Sequence, residues 1–196
     1  MHRGLLEKKF KKVYNLYSKK AQDMQIKVFD SFHPEHSKLY QAIFNLTQSL
    51  GQNYPDYEKW FKQTFMTGLQ KKERLYILAQ DSNEQLLGCA LIKRTPQEQK
   101  LCTIFVDEKY RRHGIGRQLL SQTIKILGGL PMLSVSDQVM PQMQPLLNEF
   151  GFHLSAQKKD VYQPNHTEFY FNNTKADAIQ NSLIPILLQR QKQLQK

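Results

Sequence analysis

Phe105-Val106-Asp107-Glu108-Lys109-Tyr110-Arg111-Arg112-His113-Gly114-Ile115-Gly116-Arg117-Gln118-Leu119-Leu120 joins an apolar segment to an amphipathic one through a basic turn punctuated by two glycines. Ahead of the turn, Leu101 to Val106 is a short apolar run with β-branched and aromatic residues, the composition of a buried strand. Behind it, Ile115, Leu119, Leu120, Ile124, Ile126 and Leu127 fall within half of a helical circumference, and Arg117, Gln118, Ser121, Gln122 and Lys125 fill the other half. This spacing predicts a helix with one packed and one solvated side. A helix that starts near Gly114 turns its first N–H groups outward and carries about half a positive charge at that end. Phosphate oxygens satisfy both. Gly114 and Gly116 remove Cβ atoms where main chain approaches a ligand. Arg111, Arg112 and Arg117 add charge-assisted donors at the same point. The stretch reads as an anion cradle, against the plainer reading of an exposed basic loop whose glycines only make the turn.

Missing motifs narrow the anion. The chain has no Gly-x-x-x-x-Gly-Lys-Ser/Thr run of a nucleoside triphosphate loop, and Leu119 stands where a dinucleotide fingerprint has its third glycine. Coenzyme A is the remaining common pyrophosphate ligand. Arg111-x-x-Gly114-x-Gly116, after a strand ending at Val106 and before an apolar helix, resembles the acetyl-coenzyme A signature of the GNAT acyltransferase superfamily. The resemblance extends downstream: Pro131 to Val135 matches the next strand, Pro141 to Phe150 the next helix, and Gly151-Phe152 the pair that closes that helix. In order and spacing it covers roughly residues 24 to 173.

Composition agrees with one domain plus extensions. The 196 residues are 40% hydrophobic, enough for a sizeable core. No 18-residue apolar stretch occurs and residues 1 to 23 lack a secretory signal's apolar segment, so a soluble, cytoplasmic protein is expected. Cys89 and Cys102 are the only cysteines, both in apolar runs, and read as buried free thiols; no metal site is expected. The net charge of +11 is uneven: residues 1 to 23 contribute +5, residues 174 to 196 +3, and the 150 residues between them +3. The first segment spaces Leu5, Leu6, Phe10, Val13, Tyr14, Leu16 and Tyr17 over one side of a helix and Lys8, Lys11, Lys12 and Lys19 over the other. Such a helix docks on its own domain or a partner, or lies on an anionic membrane or nucleic acid. The last segment, residues 174 to 196, is helix-like in its Ile179, Leu183, Leu187 spacing, with Pro185 as an interruption.

Between these extensions, Met24 to Asp30 alternates like a first strand and meets a turn at His33-Pro34. Helices follow over Glu35 to Leu50 and Tyr57 to Leu69, and Leu75 to Ala79, Gln85 to Lys93 and Lys100 to Val106 form a meander. After the Ile115 helix come a strand over Met132 to Ser136, the Pro141 helix, and a last hairpin of Phe152 to Tyr162 with Glu168 to Phe171. The fold class is α/β (α+β): a mixed, mostly antiparallel central sheet with helices on both faces.

The resemblance implies that the strands ending near Val106 and Val135 splay apart around the pantetheine arm of acetyl-coenzyme A, the cosubstrate. It implies that the Val106 main chain binds the thioester carbonyl, and that Arg111, Arg112, His113, Gly114, Ile115, Gly116 and Arg117 form the diphosphate turn. The implied reaction is N-acetylation of a primary amine, on a small molecule or a protein, by direct attack. The chain also departs from the family: Leu147 occupies the place of a tyrosine that often protonates the departing sulfur, Met140 that of a common asparagine, and the strand Leu101 to Val106 carries no carboxylate. Asp137, Tyr162 and Tyr170 are the candidate substitutes; the plainer and favoured reading of Asp137 is a turn or capping residue. These departures leave a second reading, an acetyl-coenzyme A-binding sensor or interaction module without turnover, associated with nucleic acid through its basic ends. A homodimer is compatible with either.

Overall fold

The computed structural model describes residues 23–172. The basic helix expected before Met24 and the extension expected after residue 173 lie outside the described residues. The chain divides into two compact units, Met1–Gly129 and Leu130–Lys196.

The first unit is a four-stranded antiparallel sheet in the order β1 (Gln25–Phe29), β2 (Arg74–Gln80), β3 (Leu86–Thr95), β4 (Glu98–Val106). Between β1 and β2 the chain builds α1 (Ser37–Thr47), then α2 (Tyr57–Lys59), which runs through a π-helical stretch (Trp60–Phe65) into α3 (Met66–Gln70). After β4 comes α4 (Ile115–Leu127). All seven residues of β2 are buried, because it lies between two strands and is covered on both faces. On one face Tyr76, Leu78, Cys89 and Leu91 pack with Tyr40 and Ile43 of α1 and with Tyr57, Phe61, Phe65 and Leu69. On the other face α4 comes so close that a Cβ on Gly88 would lie 3.3 Å from Leu119 and 3.4 Å from Ile115, and 2.7 Å from the Phe105 carbonyl oxygen. Glycine is what lets helix and sheet approach there. The β2–β3 turn closes on Asp81, whose Oδ1 accepts from the amides of Asn83 and Gln85, both at 2.9 Å.

The predicted helix over Ile115 to Leu127 is present, with Ile115, Leu119, Leu120, Thr123 and Leu127 buried. Ile124 and Ile126 are only half-buried. Thr123 takes a core position instead, with its hydroxyl satisfied by the Leu119 carbonyl at 2.8 Å. The helix predicted over Glu35 to Leu50 is α-helical only from Ser37 to Thr47, with 3-10 turns at Pro34–His36 and Gln48–Gln52.

The second unit holds β5 (Leu133–Ser136), α5 (Met140–Glu149), β6 (Leu154–Lys159) and β7 (Thr167–Phe171), with strand order β5-β7-β6. Gly151-Phe152 ends α5 by a Schellman motif: Gly151 is left-handed (φ 73°), Phe152 N donates to Leu147 O (3.0 Å) and Gly151 N to Asn148 O (3.2 Å). The predicted strand through Tyr162 stops at Lys159, because Asp160 turns to φ 57° and its Oδ1 caps the Asn165 amide. Every ladder among the described residues is antiparallel, so the mixed sheet expected from the sequence resolves as two antiparallel ladders, with β4 ending one and β5 beginning the other.

Candidate active site

β4 delivers Val106 to the site in a defined orientation. Asp107 N donates to Leu87 O at 2.9 Å, which makes Leu87 and Asp107 a hydrogen-bonded pair. Gly88 and Val106, next along the ladder and directly opposite one another, are then a non-bonded pair. The Val106 N–H and C=O therefore point away from β3, to the free edge that β4 presents. Arg111 Nε donates to that carbonyl at 3.1 Å. The N–H is left as a donor facing outward.

The turn that follows is pinned at both ends by buried side chains, Tyr110 and Ile115. Asp107 Oδ1 accepts from Lys109 N (3.0 Å), and Tyr110 N donates to Asp107 O (2.8 Å), starting a short 3-10 turn over Glu108–Tyr110. The backbone then goes extended at Arg111, left-handed at Arg112 (φ 68°) and left-handed again at Gly114 (φ 82°). Left-handed residues beside ordinary ones turn successive N–H groups into one concavity, an anion nest. At this end of α4, Gln118 N donates to Gly114 O at 3.1 Å. The amides before it are those a helix start directs outward.

The eight residues expected at this turn share one continuous segment but divide in role. Ile115 gives its side chain to the core, so only its amide is available. Arg111 is folded back: besides the Val106 carbonyl it meets Glu108 Oε1 at 3.5 Å and lies over the Phe105 ring at 5.7 Å. It braces the end of β4. His113 Nδ1 lies 2.8 Å from the Arg111 carbonyl, a local clamp. Arg112 and Arg117 are exposed, and Gly114 and Gly116 are half-buried. No Cβ neighbour lies within 4 Å of Gly114, so its φ is what requires glycine there.

The three catalytic candidates lie in the second unit. Asp137 is heavily engaged: Oδ2 accepts from Thr167 N (3.0 Å), Oδ1 lies 2.9 Å from His166 Nδ1, and Asp137 N donates to Thr167 O (2.8 Å). The Thr167 amide, then His166, holds its carboxyl below the usual carboxylate range. Tyr170 sits on β7 opposite Ser134 and Ala156, with Lys158 Nζ 5.5 Å from its ring centre. Burial first, then the neighbouring Tyr162 and Glu168, push its phenol up. Tyr162 is an exposed turn residue beyond β6. Leu147, at the usual tyrosine position, is fully buried in α5.

Two clusters escape a linear reading. His166 joins Asp137 across 29 positions, with Gln138 Nε2 against its ring. In the first unit, His36 Nδ1 lies 3.3 Å from the Tyr76 hydroxyl and the Tyr40 hydroxyl accepts from His33 N at 2.8 Å. His33 and His36 flank Pro34, but their partners come from a helix and a distant strand, so no local pattern marks them. Among the described residues no group of His, Cys, Asp and Glu is arranged to hold a metal.

The acetyltransferase (GNAT) family profile matches residues 30–152. No curated protein matches the sequence. Similar solved structures include a GNAT-family protein from Desulfovibrio desulfuricans (16% identity, TM-score 0.60, covering 76% of this chain and 96% of that one). Another is a ribosomal-protein alanine N-acetyltransferase from Escherichia coli (20%, 0.57, 76% and 91%). A third is the PaiA N-acetyltransferase of Thermoplasma acidophilum, solved with coenzyme A (16%, 0.52, 75% and 97%). Identities this low speak to the fold, and the fold they share is the one described above. With the profile spanning well over half of its length, the chain belongs to the GNAT acetyltransferase family.

Proposed function

We propose that this protein transfers the acetyl group of acetyl-coenzyme A to a primary amine, on a small molecule or on a protein, by direct attack. Acetyl-coenzyme A is the cosubstrate and supplies an activated acyl carbonyl. The observation that carries the reading is the conjunction of an outward-facing Val106 N–H with an anion nest a few residues further on. The amides around Gly114, Ile115 and Gly116, with Arg112 and Arg117, suit a diphosphate. The Val106 N–H suits an oxyanion, where a fixed donor stabilises developing charge.

In the overall reaction a nitrogen–carbon bond forms and the carbon–sulfur bond breaks. One proton leaves the amine and one reaches the sulfur. Leu147 has no proton to donate, and the Tyr170 phenol, pushed up by burial, keeps its proton at neutral pH. Asp137 is better suited to holding His166 than to acting alone as a base. Much of the acceleration is expected from binding both reactants side by side. The test is steady-state thiol release with a panel of polyamines, amino acids, aminoglycosides and peptide N-termini, beside calorimetry with acetyl-coenzyme A. Amine-dependent release supports the reading; tight binding with no release for any amine would favour a sensor.

A further inference from the structure

One end of the first sheet carries a row of cations that acetyl transfer leaves unused. Arg74 pairs in register with Lys93, and Lys93 with Lys100, so three positive residues stand opposite one another on adjacent strands. Residues in register share a face, and at about 4.8 Å per strand the three lie along a line roughly 10 Å long. Like charges held opposite one another repel. Lys71 and Lys72 extend the row, exposed where α3 leads into β2, with Glu73 exposed between them and Arg74; Arg94, next after Lys93 on β3 and so on the other face, is exposed at the same end of the sheet, its amide donating to the Glu73 carbonyl at 2.8 Å. Glu98 is bonded to Lys93. Among the described residues Lys71, Lys72, Arg94 and Lys100 have no carboxylate partner.

Arg74 adds an independent observation. It is only 9% exposed, yet its guanidinium meets no carboxylate among the described residues. Nη1 lies 3.4 Å from Cys102 Sγ, and the guanidinium stands 5.5 Å from the centre of the Trp60 ring. Buried cations are ordinarily paired with an anion. A thiol and an indole leave this charge to raise the potential behind the row. Lys100 is six residues from Val106 along β4, roughly 20 Å, so these cations are not part of the diphosphate turn.

We propose that this end of the sheet, from Lys71 through Arg74 and Lys93 to Lys100, is a second anion-binding surface that holds the phosphodiester backbone of nucleic acid. The closely spaced negative charge of a phosphodiester backbone complements the cations left without a carboxylate here, Lys71, Lys72, Arg94 and Lys100, with the buried Arg74 behind them. Four of the six cations are lysines, point charges that accept phosphates without the two-pronged geometry arginine gives to carboxylates. The exposed large apolar side chains of the described residues, Val28, Leu130, Leu154, Val161 and Tyr162, all fall outside residues 71 to 100. Beside the row stands the half-buried Trp60, over Arg74, and contact with the backbone carries no sequence preference.

The experiment is fluorescence anisotropy of a labelled RNA duplex with the full chain over a salt series. It compares the parent, Lys71→Gln/Arg94→Gln/Lys100→Gln, and a control with the same charge change, Lys38→Gln/Lys59→Gln/Lys125→Gln. Both variants keep the basic termini. The first should bind about tenfold or more weakly at low salt, with a slope of log K against log salt shallower by about 2 to 3. The control should stay near the parent, and acetyl-coenzyme A affinity should be equal in all three. An unchanged slope, equal losses in the two variants, or polyglutamate competing as well as unlabelled RNA would overturn the proposal. Should the triple variant melt early, Lys71→Gln and Arg94→Gln taken singly should each reduce the slope by about 0.7 to 0.9, and no reduction in either counts equally against it.

Discussion

Arg111 and Arg112 are neighbours in the sequence with the same side chain and different work. Arg111 is spent on the Val106 carbonyl, Glu108 and Phe105, whereas Arg112 is exposed at a left-handed position. Arg111→Ala should therefore cost stability, about 1 kcal/mol once its partial exposure is discounted, and leave the salt dependence of acetyl-coenzyme A binding nearly unchanged. Arg112→Gln should leave the melting temperature in place and weaken both binding and its salt dependence. Thermal melts and calorimetry at two ionic strengths separate the two. The glycines divide in a similar way. Gly114 is needed for its φ of 82°, so any side chain there costs about 1 kcal/mol of folding as well as any binding effect. Gly116 lies inside α4, where Gln is a better helix former, so Gly116→Gln should hold or raise the melting temperature while acetyl-coenzyme A affinity falls about tenfold or more. Parallel loss of stability and affinity in Gly116→Gln would mean that the turn is only structural.

At the scale of elements, much of the architecture was legible because it follows from periodicity and turn chemistry. The Ile115 helix, the three-strand meander and the Gly151-Phe152 stop are all present, the last because a left-handed residue and a returning 6→1 bond end a helix there. The misses have equally local causes. Tyr162 falls off its strand because Asp160 turns the chain, and Thr123 enters the core because a helix carbonyl satisfies its hydroxyl. What stayed illegible was contact between distant segments, above all Asp137 with His166 and Tyr76 with His36. The β5–β7 connection gives a pH prediction. Its Asp137 carboxyl is held below its usual range, so the unfolded chain binds that proton more tightly than the folded one. The resulting stability is fully present above about pH 4, the unfolded value, and is lost as pH falls through the folded value. Asp137→Asn should then lose less stability than the parent between about pH 5 and pH 2; identical acid melts for both proteins would contradict the assignment.

For the whole molecule, two compact units, the basic turn after β4 and a separate group of cations share one basic chain. No helix among the described residues is long and apolar enough to cross a membrane. Both cysteines are free, but burial pushes the Cys89 thiol up to about 12 while Cys102 is only half-buried. A thiol reagent at neutral pH should thus modify at most Cys102 in the native protein and both cysteines after denaturation; rapid native labelling of Cys89 would mean that the core opens far more readily than this packing allows. The central claim is that main-chain amides of the turn after β4 hold the cosubstrate's diphosphate. A crystal structure with acetyl-coenzyme A tests it most directly. Diphosphate oxygens at about 2.7–3.2 Å from amides between Arg112 and Arg117, with the thioester oxygen on Val106 N–H, are the predicted result. A diphosphate bound elsewhere, or a turn whose amides face only the protein's own side chains, would contradict it.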